Sequence, residues 1–169
     1  MIQNLSIWQS LAIASGFILE FFETSKLSKE DMSITYKVNV PVTTDHFIEL
    51  LRKSTLGERR PIDDRACMEG MVENSNLMVT AWDEEKLIGI ARSMTDFHYA
   101  CYLSDLAVHR DYQKKGIGKR LLILTQGELG PKCKLILVAA PSANSYYEQV
   151  GFKNNPRCWV LDREQKAGS

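Results

Sequence analysis

Residues 103–122 read LSDLAVHRDYQKKGIGKRLL. This stretch predicts a strand that ends near Val108, a charged turn with two closely spaced glycines, and an amphipathic helix. The first N–H groups of a helix lack backbone partners and carry partial positive charge, so they attract phosphate. Gly116 and Gly118 let phosphate oxygens approach without meeting a Cβ atom. Three lysines add positive charge here: Lys114, Lys115 and Lys119. The stretch therefore predicts a phosphate-binding loop.

The glycines fit neither of two well-known phosphate loops. A Walker A loop needs glycine where this chain has Gln113, and serine or threonine where it has Arg120. A dinucleotide-binding fingerprint needs a small residue where the chain has Leu121. The pattern Q-x-x-G-x-G after a strand instead resembles the acyl-CoA loop of the GCN5-related N-acetyltransferases, the GNAT superfamily. For this loop taken alone, the alternative is a glycine-rich turn that binds nothing.

A second stretch, residues 133–152, strengthens the resemblance; it reads CKLILVAAPSANSYYEQVGF. Its apolar run, residues 135–140, predicts a central strand covered on both faces. A short helix that Ser142 can cap follows, and Gly151 ends it. This helix resembles the GNAT helix that ends in the signature Tyr-x-x-x-Gly-Phe, with Tyr147 in the tyrosine position. Together the two stretches indicate the family more specifically than either does alone.

The order of the remaining elements can be followed from residue 33 onward. The predicted strands are residues 34–40, 77–82, 86–95, 99–108 and 135–140, followed by two short strands of which the last holds residues 159–161. The predicted helices begin at Thr43 or Thr44, at Pro61, after the phosphate loop (to about residue 129) and before Tyr147. The hairpin at residues 77–93 also resembles the family's. Order and resemblance imply an α/β, mixed α+β architecture, the GNAT fold, with a central mixed, mostly antiparallel sheet of six to seven strands and helices on both faces.

Composition narrows the classes of partner. The chain has 169 residues, a length that predicts one domain. Its 21 basic and 21 acidic side chains give no net charge, so no overall electrostatic attraction favours nucleic acid or an anionic membrane. Its four cysteines are scattered and its three histidines are isolated. These patterns predict reduced cysteines, a cytoplasmic location and no metal site.

The first 31 residues stand apart as an apolar, helical-looking extension of uncertain role. Its first basic residue is Lys26, which does not fit a secretory signal, and its uncharged run is short for a membrane span. Three readings stay open: an extra helix packed on the domain or on a second subunit (a homodimer), a weak membrane-surface segment, or a natural start at Met32. We expect the division 1–31, 32–163 for the GNAT domain, and 164–169 for a polar tail.

The resemblance implies where acetyl-CoA, the acyl-donor cosubstrate, would bind. Strand backbone should pair with its pantetheine arm and with the acetyl carbonyl: Leu106, Ala107 and Val108. The loop and helix start should hold its pyrophosphate: Gln113, Lys114, Lys115, Gly116, Ile117, Gly118 and Lys119. Tyr147 should be the catalytic acid that protonates the leaving thiolate. The chain departs from the family at Ala140, where many members have a cofactor-binding asparagine, so that contact is in doubt.

The implied function is acetyl-CoA-dependent N-acetyl transfer to a primary amine of a small molecule or peptide, by direct attack in a ternary complex. A non-catalytic acyl-CoA sensor or scaffold with a GNAT fold is the alternative. Four side chains or a water chain are candidates for the general base: Asp105, His98, Tyr102 and Glu69. Residues 56–60, the turn at Asp83 and residues 153–157 are expected to line the acceptor site, and their arginines favour a carboxylate on the acceptor.

Overall fold

The structure, a computed structural model, describes residues 34–161 apart from the side chain of Ser142. The predicted extension 1–31 and tail 164–169 lie outside the described residues, so their boundaries and roles stay predictions. Among the described residues no helix is long and apolar enough to cross a membrane.

One five-stranded sheet forms the centre of the described residues, with its strands side by side in chain order. The strands are β1 (Ile34–Val38), β2 (Leu77–Asp83), β3 (Lys86–Thr95), β4 (Ala100–Val108) and β5 (Lys134–Ile136). β2 and β3 form the predicted hairpin, β3 and β4 are also antiparallel, and β5 runs parallel to β4. The mixed, mostly antiparallel sheet is thus confirmed, but the predicted count of six to seven strands is wrong for residues 34–161.

Four helices accompany the sheet: α1 (Thr44–Lys53), α2 (Arg65–Glu73), α3 (Ile117–Gly127) and α4 (Asn144–Gln149). The side chain of Thr43 caps α1, as predicted, by accepting a hydrogen bond from the amide of His46. The prediction that Pro61 opens the second helix is wrong. Asp64 caps α2 instead, because its carboxylate accepts from the amide of Cys67.

Helices cover both faces of the sheet, as predicted. On one face, Ile90 of β3 and Ala107 of β4 pack in a buried cluster with Phe47 of α1 and Met68 of α2. On the other face, a Cβ atom on Gly89 would lie 3.1 Å from Leu121 and 3.2 Å from Ile117. Only glycine leaves room for this close approach of α3 to β3. The contact fixes the start of α3 beside the end of β4.

The C-terminal part of the sheet differs from the prediction. β5 is three residues long and lies at the sheet edge, whereas residues 135–140 were expected to form a central strand. Ile136 and Val138 are 46% and 54% exposed. No strand follows β5 within residues 34–161, and Trp159, expected in the last strand, is 91% exposed. An apolar run does not show which elements will cover it, so the sequence alone could not distinguish a central strand from a partly exposed edge strand.

A buried ion cluster joins the elements on the α1–α2 face. Asp105 of β4 lies opposite Arg92 of β3, and the two side chains form a salt bridge of 2.5 Å. Arg60 contacts the other carboxylate oxygen of Asp105 at 2.6 Å. Arg92 also donates to the carbonyl of Met71 and to the hydroxyl of Ser75, at the end of α2 and just beyond it. Paired and hydrogen-bonded, these buried charges hold β3, β4 and the loop before α2 together.

Replacing Asp105 with alanine is expected to destabilise the chain by about 3–5 kcal/mol, because the guanidinium of Arg92 would stay buried without its carboxylate. Urea unfolding of the wild type and the variant measures the difference. The matched control is Asp63→Ala: Asp63 pairs with Arg52 at 3.5 Å, but both side chains are exposed. That loss should stay below about 1 kcal/mol. Equal losses in the two variants would contradict the stabilising role of the cluster.

Candidate functional site

The site begins where β4 and β5 part. β5 pairs with only three residues of β4, and the last pair is Tyr102 with Ile136. Just beyond it, the register of β4 with β3 passes over Ser104, so that residue forms a β-bulge. A bulge bends its strand and increases the twist, which turns β4 away from β5. Among the described strands, residues 103–108 of β4 therefore have a strand partner on the β3 side alone.

The three predicted pantetheine contacts lie on this open part of β4. Leu106, Ala107 and Val108 pair with β3 through Ala91, Ile90 and Gly89. Ala107 is buried, whereas Leu106 and Val108 are partly exposed. An extended chain segment can add to a strand edge of this kind by backbone hydrogen bonds. Because the amide of His109 donates to the carbonyl of Ile88, the alternation along β4 directs the main-chain groups of Leu106 and Val108 toward the open edge and those of Ala107 toward β3. The geometry therefore suits the role that the resemblance implies at Leu106 and Val108.

The predicted phosphate loop follows β4 directly. A short 3-10 turn (Arg110–Tyr112) leads to Gln113, whose side-chain amide donates to the carbonyl of Val108 at 3.0 Å. Gly116 has a φ of +81° and precedes the first residue of α3. A Cβ atom at Gly116 would meet nothing within 4 Å, so the space beside this glycine is open. The first amides of α3, which have no acceptor within the helix, begin at this open space.

The side chains of the loop have different environments. The three lysines, at positions 114, 115 and 119, are exposed, and the ammonium group of Lys115 lies 5.4 Å from the ring centre of Tyr112. Lys114 has a φ of +63°, which is uncommon for a residue with a side chain. Ile117 is 2% exposed, so it anchors the helix and could offer only its backbone to a ligand. The loop thus presents backbone amides surrounded by positive charge.

Gly118 has a different neighbour from the one expected. A Cβ atom there would lie 2.8 Å from the hydroxyl oxygen of Tyr146, so glycine at this position admits the tyrosine. The hydroxyl is buried and has no hydrogen-bond partner, and burial raises the pKa of Tyr146. Because the space that a Cβ would fill is already taken, Gly118 serves the contact between α4 and α3.

Tyr147, the predicted acid, is half-buried on α4. Its ring packs edge-on against Tyr146 at 5.3 Å and Phe152 at 5.5 Å. Burial raises the pKa of Tyr147 above its ordinary value of 10.0, Tyr146 acts in the same direction, and the charge of Arg60 opposes both. The phenol is therefore protonated at neutral pH and can donate a proton.

The four side chains considered for the general base differ in burial and in hydrogen-bond partners. Asp105 is buried and each of its carboxylate oxygens contacts an arginine, so it is not free to take a proton from an amine. Glu69 accepts from Arg65 at 2.9 Å, and His98 is an exposed residue before β4. Tyr102 borders the opening between β4 and β5 and is 41% exposed. The base therefore stays unassigned.

The three segments expected to line the acceptor site contact different parts of the fold. Arg60 turns toward β4, where it donates to the carbonyl of Ser104 at 2.8 Å. Asp83 instead accepts from the hydroxyl of Tyr112 at 2.6 Å, next to the phosphate loop. Residues 153–157 are exposed. The contacts thus connect the loop before α2, and not the hairpin turn, with the open part of β4.

A cavity of about 560 Å³ lies elsewhere, at the C-terminal end of α1. It is lined by Glu49, Arg52, Lys53, Lys86, His109, Arg110 and Asp111. Burial lowers the pKa of His109, and the charge of Lys86 acts in the same direction. The lining includes the turn residues that follow β4, but none of residues 103–108 or 113–119. No group of three or more metal-ligating side chains occurs among residues 34–161.

A family model and the sequence of a relative both indicate the GNAT family. A family model described as an acetyltransferase (GNAT) domain matches residues 56–158. An uncharacterized N-acetyltransferase, ycf52-like, from Prochlorococcus marinus is 31% identical over 116 residues, which cover 65% of this chain and 63% of that protein. This chain thus spans less than two thirds of that relative's length.

Solved structures share the fold. A GNAT-family acetyltransferase from Streptococcus pneumoniae superposes with a TM-score of 0.59 and 20% identity, over 76% of this chain and 98% of that one. The aminoglycoside N-acetyltransferase AAC(6')-Iy, solved in complex with CoA, gives a TM-score of 0.60 and 17% identity, over 78% of this chain and 95% of that one. With the family model matched across β2 to α4, the chain belongs to the GNAT acetyltransferase family.

Proposed function

We propose that this protein transfers the acetyl group of acetyl-CoA to a primary amine of a small molecule or peptide. The observation that carries the proposal is the open edge of β4 beside the exposed start of α3 at Gly116. An extended arm and a diphosphate, the two parts of coenzyme A nearest its thiol, need a strand edge and a helix N-terminus, respectively. The structural neighbour solved with CoA supports the same cosubstrate.

In this proposal, main-chain groups do most of the binding. The backbone of Leu106 and Val108 pairs with the pantetheine arm, as a partner strand would, while that of Ala107 faces β3. The first amides of α3 bind the diphosphate, and the lysines around them add charge that water screens in part. Gln113 has an indirect role: its side-chain amide, which donates to the carbonyl of Val108, fixes the turn between the strand and the loop. Coenzyme A supplies the activated acetyl group as a thioester.

The chemical step is a direct transfer. The neutral amine forms a bond to the acetyl carbon while the carbon–sulfur bond breaks, and the amine loses its proton to water or to a base. A backbone N–H of β4 directed at the carbonyl oxygen would stabilise its developing charge by roughly 3 kcal/mol. The leaving thiolate takes a proton from Tyr147, and solvent returns a proton to the phenolate before the next turnover. Because no covalent enzyme intermediate is needed, the reaction requires no activated serine or cysteine.

The remaining expectations concern where the protein works and with what. Cys67, Cys101, Cys133 and Cys158 are free thiols, which agrees with the reducing cytoplasm that we propose as its location. Balanced charge favours a small-molecule or peptide partner over nucleic acid or a membrane.

Tyr147→Phe is expected to lower kcat at least about tenfold while the Kd for coenzyme A stays within about twofold, because the variant lacks only a proton donor. CoA release against a panel of primary amines measures turnover, and calorimetry measures binding. Tyr99→Phe, at a tyrosine that is 62% exposed, is the matched control and should change neither quantity.

The pH dependence of kcat is a second test of Tyr147 as the acid. Since the pKa of Tyr147 is raised above 10.0, the acid stays protonated and kcat should show no alkaline decline below about pH 10. An unchanged kcat in Tyr147→Phe would contradict the assignment of the acid. If the wild type bound coenzyme A but released none with any amine, the sensor or scaffold would be the correct function.

Reversing the charges of Lys114 and Lys115 to glutamate is expected to weaken coenzyme A binding by at least about tenfold at low salt, and less at high salt. The reversal places negative charge beside the diphosphate. Calorimetry at two ionic strengths measures both effects. The control is Lys37→Glu with Lys132→Glu, which changes net charge equally at two exposed lysines away from the loop. Equal weakening in both double variants, or no binding by the wild type, would contradict the proposed site.

A further inference from the structure

The ion cluster on β4 carries one more positive charge than negative charge. Arg60 and Arg92 share the single carboxylate of Asp105, at 2.6 Å and 2.5 Å. The side chains of Asp105 and Arg92 are 0% and 5% exposed, so water screens little of the charge. Within residues 34–161, the other hydrogen bonds of the two guanidinium groups go to neutral oxygens and to the sulfur of Met94, and the guanidinium of Arg92 lies 5.7 Å from the ring centre of Phe47. A buried excess charge is costly unless an anion approaches it.

Arg60 is the member of the cluster that an anion could reach. Its side chain is 23% exposed. Its Nε donates to Asp105, one terminal nitrogen donates to the carbonyl of Arg59, and the other donates to the carbonyl of Ser104. A guanidinium has five N–H groups, so these three bonds leave two of them for a ligand. The bonds also hold the group in place, which prepares it to bind a carboxylate.

The position of Arg60 indicates which ligand the anion belongs to. Its contacts are with Ser104 and Asp105, at the beginning of the open part of β4. Ser104 and Val108 are four positions apart, which is about 13 Å along a strand, so Arg60 is distant from the proposed diphosphate site. The charge of Arg60 also lowers the pKa of Tyr147, the proposed acid, against the larger raising effect of burial, which agrees with a position beside the open part of β4. An anion on Arg60 would therefore lie beside the reacting centre, on the acceptor.

We propose that the acceptor amine carries a carboxylate, as an amino acid or a short peptide does, and that Arg60 binds it. The proposal rests on the proposed acetyl transfer and names its substrate class. The carboxylate would balance the excess charge of the cluster, and the bond to Arg60 would place the amine near Tyr147. Arg92 is buried, so it adds to the positive charge of the cluster without contacting the substrate.

Matched pairs of acceptors test this inference: amino acids and dipeptides against their carboxamides, which keep the amine and remove the negative charge. With the full chain and saturating acetyl-CoA, we expect kcat/KM for the acids to exceed that for the amides by at least about tenfold. In Arg60→Gln, KM for the acids should rise so far that this preference falls below about twofold. Arg60→Lys keeps the charge without the planar fork and should retain part of the preference.

Two controls separate binding from folding. Arg60→Gln leaves Asp105 paired with Arg92, so the variant should fold, as urea unfolding will show, and its Kd for coenzyme A should match that of the wild type. Arg52→Gln removes an exposed arginine that also pairs with a carboxylate, and it should keep the full preference. If the wild type acetylated acids and amides equally, or if Arg60→Gln kept the preference, the inference would be wrong while acetyl transfer stood. Absence of coenzyme A binding would overturn the proposed function and this inference together.

Discussion

The separation of β4 from β5 is the constraint on which the site depends. Two parallel strands would normally continue pairing, because an unpaired strand edge leaves backbone donors and acceptors without protein partners. Here the pairing stops at Tyr102, and the bulge at Ser104 turns the rest of β4 away. The amides and carbonyls that a neighbouring strand would have used are available to an extended ligand. The end of the same strand leads directly into the loop at Gly116, so one segment of chain supplies both a strand edge and a helix start.

The buried charges next to the bulge connect stability with the site. Asp105 follows Ser104 directly, and its two arginines come from β3 and from the loop before α2. The carbonyl of Ser104 accepts from Arg60, and its hydroxyl accepts from Arg92. The bulge is therefore held on the α1–α2 face by a buried carboxylate and the two arginines that share it. On the opposite face, the close contact of α3 with Gly89 fixes the phosphate loop. The opening lies between two rigid supports, which suits a site that must hold a ligand in one orientation.

Sequence predicted the features that depend on local patterns. The hairpin at Asp83, the cap at Thr43 and the helix after Gly116 follow from turn residues, capping side chains and apolar periodicity, and all three are present. The edge position of β5 could not be predicted, since pairing depends on which strands are available elsewhere in the chain. The ion cluster was missed, although a signal was present: Arg92 and Asp105 are opposite charges within two adjacent apolar strands, a pattern that indicates a buried pair. The contact of Tyr146 with Gly118 joins residues distant in sequence and left no local signal.

Hydrogen exchange of the backbone amides shows whether the open edge of β4 and the start of α3 form one coenzyme A site. At saturating coenzyme A, exchange in residues 106–108 and 117–119 should slow by about tenfold or more, because the ligand accepts or shields these N–H groups. Peptides covering α1 and the cavity at its end should exchange at unchanged rates. Protection confined to α1 and Lys86, or no protection of either segment while coenzyme A is bound, would contradict the account.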